Sequence, residues 1–145
     1  MKILAIMFVL LLVFNSCTNN SEESTINDFE GKWILGKMTG GTANSETTGA
    51  EMEWQEFYVL NKNGTFIKSR NRDGVITEIS GTYSISNLAD GDFLHLIYRS
   101  ENDIIGSCLS NTEENLRLKS KYTMASMWLQ CDGPGLEYGK VLPVD

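Results

Sequence analysis

Three cysteines, Cys17, Cys108 and Cys131, and one histidine, His95, are the residues of this 145-residue chain whose types suit them best to do chemistry. No C-x-x-C spacing joins the cysteines and no second histidine accompanies His95, so a metal centre lacks a ligand set. No second catalytic group has a spacing that pairs it with His95, which reads as a hydrogen-bonded core histidine rather than an acid or base. Glu46, Glu51, Glu53 and Glu56 form an acidic run that suits the solvated rim of a domain better than a cation site. Asn61-Lys62-Asn63-Gly64 and Asp90-Gly91-Asp92 have the composition of calcium-loop fragments, but the later Glu of such a loop is missing from both. They are turns. With no nucleophile and base pair, metal cluster or phosphate loop, the chain is expected to be neither an enzyme nor dependent on a cofactor.

Cys17 is placed by what precedes it. Lys2 is followed by an unbroken apolar run over residues 3–14, and Asn15-Ser16 lead directly into Cys17. A membrane span needs about 20 apolar residues, whereas a signal-peptide core needs roughly 7 to 15. The stretch resembles the leader of a bacterial lipoprotein, in which a small residue, here Ser16, stands just before a cysteine that is cleaved and acylated. The resemblance implies a signal peptide over residues 1–16 and a lipid such as palmitate on Cys17, fixing the chain to a membrane. An ordinary secretory leader is the alternative, although no Ala-x-Ala site precedes Cys17. With Cys17 lipidated, Cys108 and Cys131 remain in an oxidising compartment, either as a disulfide or as two separate buried thiols.

Residues 18–25, TNNSEEST, are polar and without an apolar period, so residues 17–27 read as a flexible tether. Glu22 and Glu23 resemble the acidic signal that sends some Bacteroidetes lipoproteins to the cell's outer face, and Thr18 resembles outer-membrane sorting in other Gram-negative lipoproteins. The expected address is the cell envelope, as an outer-membrane lipoprotein facing either the periplasm or the exterior. A plain solvated linker has the same composition.

Loss of Lys2 with the leader leaves 11 basic against 19 acidic residues, a charge of −8. A surface of that sign repels nucleic acid and anionic headgroups. Apolar residues at 41% and charged residues at 21% suit one globular domain, residues 28–145.

The elements that must position these residues are short strands. Residues 26–29 read as one helical turn. Strands are expected over 33–38, 54–60, 65–70, 75–86, 93–99, 104–110, 115–120 and 124–131, with a long loop at 39–48. Asn63-Gly64 and Asp73-Gly74 supply the positive φ that tight hairpins require, and Gly81 marks a bulge or bend. The segment FLHLIYR is apolar on both faces, as in a strand covered twice, by a loop or by residues 136–144. About eight strands at close, even spacing predict an all-β fold, an antiparallel up-and-down barrel.

At this point the residues resemble a family. Gly31-Lys32-Trp33 after a helical turn is similar to the Gly-x-Trp that opens a lipocalin barrel. EFYVLNKNGTF, GTYSIS, FLHLIY and ENLRLKS, in that order, are similar to the lipocalin-like domains of small bacterial lipoproteins. The resemblance implies that Trp33 closes the narrow end of the barrel under a cation from a late strand, Arg117 or Lys119. It also implies an interior that either holds one small ligand or is filled by side chains. The expected lining is Trp54, Tyr58, Phe66, Tyr83, His95, Tyr98 and Trp128, aromatic bodies with polar tips that suit a hydrophobic or amphipathic ligand. If the interior is solid, the chain is instead a module that contacts a protein or glycan at the cell surface. Oligomeric state stays open.

Overall fold

A computed structural model describes residues 26–108 and 110–143. The leader, Cys17 and the tether up to residue 25 lie outside the described residues. After the single helical turn α1 (Ile26–Phe29), the chain forms β1 (Gly31–Thr39), the two-residue β2 (Thr47–Thr48), β3 (Gln55–Leu60), β4 (Thr65–Arg72) and β5 (Val75–Leu88). It continues with β6 (Gly91–Tyr98), β7 (Glu113–Ser120), β8 (Thr123–Ser126) and β9 (Gly135–Lys140). Every neighbouring pair is antiparallel, and β1 pairs with both β3 and β9, which closes eight strands into an up-and-down barrel. The two-residue β2 adds to the edge of β1.

The hairpins obey their turn chemistry. Asp73 and Gly74, at φ 53° and 81°, are the two residues between Arg72 and Val75, and both carry the positive φ of a primed turn. Gly81 sits where β5 passes between β4 and β6. A Cβ there would lie 1.9 Å from the Ile97 carbonyl oxygen, so the strands approach this closely because no side chain intervenes.

Three expectations about the elements are corrected. Among the described residues, 104–108 and 110 form no strand: they belong to the connection between β6 and β7, whose Ile104 and Ile105 are buried, with the Ile104 carbonyl held by Arg70 inside the barrel. Apolar residues drawn inward from a loop mimic a buried strand in sequence. The segment 136–144, expected as one possible cover, instead contributes most of β9 (Gly135–Lys140), the strand that closes the barrel. Strand pairing at 124–131 also stops early, at Ser126, and Trp128–Cys131 turn into a 3-10 helix. Cys108 and Cys131 form a disulfide, with Cα atoms 5.6 Å apart, that staples the 99–112 connection to this turn.

Alternation fills the interior. Trp33 and Leu35 of β1, Trp54 just before β3, Tyr58 and Leu60 of β3, Phe66 of β4, Leu94, Leu96 and Tyr98 of β6, and Tyr138 of β9 all belong to one buried cluster. At the end where α1 leads into β1, Trp33 is fully buried, stacks on Phe29 with centroids 6.4 Å apart and donates from Nε1 to the Phe29 carbonyl at 2.9 Å. The cation over Trp33 is Lys140 of β9, its Nζ 5.8 Å from the ring and donating to the Asp28 carbonyl at 2.9 Å. Arg117 and Lys119 do not fill that role. They lie on the outer face of β7, which is separated from β1 by β8 and β9. The closing cation came from a segment that sequence periodicity did not mark as a strand.

Candidate functional site

Inside the barrel the alternation that buries Tyr58 and Leu60 on β3 also buries Glu56, and the alternation that buries Phe66 on β4 also buries Lys68 and Arg70. Cross-strand register sets Glu56 against Arg70 and Tyr58 against Lys68. From β7, Glu114 enters the same space beneath Leu96. Lys68 Nζ lies 3.1 and 3.2 Å from the two Glu114 oxygens and 3.4 Å from Glu56 Oε1, while Arg70 Nε donates to Glu56. Arg70 also donates to the carbonyl of Ile104 at 3.2 Å, which ties the covering loop to the cluster.

Three phenols complete it. Tyr58 and Tyr98 donate to Glu114, the former at 2.9 Å, and Tyr138 donates to Glu56 at 2.5 Å. Burial pushes all three phenol pKa values well above 10.0, with the Glu114 charge as the next cause for Tyr58 and Tyr98 and the Glu56 charge for Tyr138. Two carboxylates and two cations cancel, and each is hydrogen-bonded, so the cluster offers no leftover charge to a guest.

Glu56 is therefore corrected from solvated rim to barrel core. Trp54, Tyr58, Phe66, Tyr83 and Tyr98 are brought together inside, as expected, but they pack on one another: Phe66 and Tyr98 meet edge-on at 4.9 Å, and Arg70 lies 4.2 Å over the Trp54 ring. Tyr83 donates to the Asn61 carbonyl at 2.8 Å, and burial, then the Glu30 charge, push its phenol up to about 12. Trp128 packs at the margin of the core and against Gly106.

His95 is not a core residue. Leu94, Leu96 and Tyr98 take the inward positions of β6, which turns Phe93, His95 and Ile97 outward. His95 Nε2 lies 3.1 Å from Glu113 of β7 on that outer surface.

There His95 helps to line a cavity of about 320 Å³ on the outside of the barrel wall. Leu88 of β5, Phe93 of β6 and Met127 supply its apolar surface, while Ser86, His95 and Asn115 supply polar groups from three adjacent strands. The disulfide-stapled loop at 106–108 forms one wall. Phe93 is almost fully buried, yet it stands apart from the interior cluster, which accounts for a strand that is apolar on both faces. An adjoining trough of about 620 Å³ shares Met127 and Gln130 and is edged by Arg117 and Lys119. Sequence reading missed this groove because its walls come from five separate stretches of chain.

No family model, curated protein or solved structure matches this chain.

Proposed function

We propose that the chain is a lipid-anchored envelope protein, lipocalin-like in its barrel and non-enzymatic, that binds a small hydrophobic or amphipathic ligand on the outside of the barrel wall. The observation that carries the reading is the contrast between an interior filled by a neutral ion cluster and an outer cavity of about 320 Å³. Sites for small molecules begin near 300 Å³ and combine apolar walls with a few convergent polar groups. Leu88, Phe93 and Met127 beside Ser86, His95 and Asn115 fit that description. In this reading the ionic core is a strut that fixes the wall, and the disulfide fixes the loop beside the groove.

The test is a titration with a neutral apolar dye, N-phenyl-1-naphthylamine. One saturable site is expected. Leu88 is 59% exposed, so Leu88→Asp should leave the fold intact and weaken the dye roughly tenfold, the equivalent of about 1–2 kcal/mol of lost apolar contact. Undiminished dye binding in that variant would move the site elsewhere.

The anchor rests on the leader and on Cys17 alone. Cys17→Ser should abolish incorporation of a labelled fatty acid and release the protein from membranes, because stable anchoring takes more than one acyl chain. Retention of the variant on membranes would refute the anchor.

A further inference from the structure

Arg117 occupies an unusual position for a cation in so acidic a chain. It sits on the outer face of β7 directly opposite Phe93, whose ring lines the groove, and its guanidinium carbon lies 5.7 Å from the centre of that ring. It donates to the backbone carbonyl of Asp90, and no carboxylate lies within ion-pair distance of it among the described residues. Its neighbour Lys119 is committed, 2.5 Å from Glu137. The cross-strand register therefore lays out a row, Ser86, Phe93 and Arg117, running from hydroxyl to aromatic floor to unneutralised cation. A second row, Ser84, His95 and Asn115, runs beside it.

We infer that the groove takes a free single-chain amphiphile with an anionic head, its alkyl chain lying over Phe93, Leu88 and Met127 and its carboxylate on Arg117. This rests on the groove reading above and deepens it. A guanidinium already held by a backbone carbonyl keeps further N–H donors for a carboxylate, which it meets with geometry that an ammonium lacks. The apolar side, with about 320 Å³, suits one chain rather than two. The net charge of −7 for the whole chain works against anions at long range. Selection by Arg117 thus acts at contact distance, and it weakens as salt rises.

The experiment compares decanoate, decanol and decyltrimethylammonium, titrated into the full-length Cys17→Ser chain at low salt, with mixed phosphatidylcholine and phosphatidylglycerol vesicles as a fourth arm. Decanoate should bind roughly three- to tenfold more tightly than decanol, the range of an exposed charge-assisted contact. Arg117→Gln should erase that preference and leave decanol unchanged. Equal binding of decanoate and decanol, tighter binding of the ammonium compound, or a preference that survives Arg117→Gln overturns the anionic head while leaving the groove reading standing. Failure of all three soluble probes overturns both, and capture by vesicles alone would overturn the commitment to a free amphiphile.

Discussion

Lys68→Met should cost the fold about 3–5 kcal/mol, the usual penalty for removing one partner from a buried ion cluster. The side chain is fully buried, and its ammonium bridges two carboxylates that come from β3 and β7, on different sides of the barrel. Without it, Glu56 keeps Arg70 and Tyr138, whereas Glu114 keeps only phenol donors. The interior then carries one uncompensated negative charge in a medium that solvates it poorly. Since a domain of this size holds about 5–15 kcal/mol in all, the urea midpoint should fall by about a fifth or more. The double variant Lys68→Met, Glu114→Gln restores neutrality and should recover part of the loss, although methionine adds no hydrogen bond. A single variant within about 1 kcal/mol of the parent, or a double variant worse than the sum of the two singles, would show that the cluster is not coupled in this way.

That cluster was legible by parity and was nonetheless hidden. Strand period two places Glu56 with Tyr58 and Leu60, Lys68 and Arg70 with Phe66, and Glu114 with Leu116. Composition argues the other way, since charged residues are almost never buried unless paired. Proximity of β3, β4 and β7 across the barrel is a tertiary fact that period alone does not supply, and so in sequence Glu56 reads with Glu46, Glu51 and Glu53 as rim. The hairpins were easier. Asp73-Gly74 needs its positive φ whatever the rest of the chain does, and Gly81 signals a close approach through its own lack of a Cβ. The 99–112 connection was harder, because Ile104 and Ile105 are buried as a lid and carry the apolar signature of a strand without its ladder. β9 was obscured for a related reason: Gly135 and Gly139 weaken the strand pattern of a segment whose Leu136 and Tyr138 alternate inward.

The outer-wall groove has no signature of that kind. Phe93 and Arg117 lie 24 positions apart and meet because β6 and β7 pair in one register, while Met127 arrives after β8 has turned back. A slip of one residue in that register would turn Phe93 inward and Leu94 outward. What fixes the register is the interior: Glu114 must reach Lys68 and Tyr98, and Leu116 must pack in the core. Glu114 thus sets Arg117 three residues further along the same strand. The ionic core and the groove are linked through that strand, so variants that loosen the first should also blunt recognition at the second.

The same cluster makes stability fall at high pH. Tyr58, Tyr98 and Tyr138 all have folded-state pKa values raised well above 10.0, through burial first and through the charges of Glu114 and Glu56 next. A neutral phenol favoured by the fold means that the folded chain binds more protons than the unfolded chain once the pH passes about 10. By linkage, stability is then complete below pH 10 and declines as pH rises through the window between the unfolded and folded values. Each of these tyrosines contributes about 1.4 kcal/mol per pH unit within that window, so the three together contribute about 4 kcal/mol per unit, and Tyr83, whose phenol is pushed up to about 12, adds a further share to the same decline. Urea unfolding at pH 8, 9, 10 and 11 should give similar stabilities at the first two, a decline by the third and a steep loss at the last. Tyr138→Phe removes one titrating group and should reduce the slope above pH 10 by about a quarter to a third, even though it also lowers stability at pH 8 by leaving Glu56 one donor short. A slope that Tyr138→Phe leaves unchanged would mean that the phenols around Glu56 and Glu114 are not the groups that open the barrel in alkali.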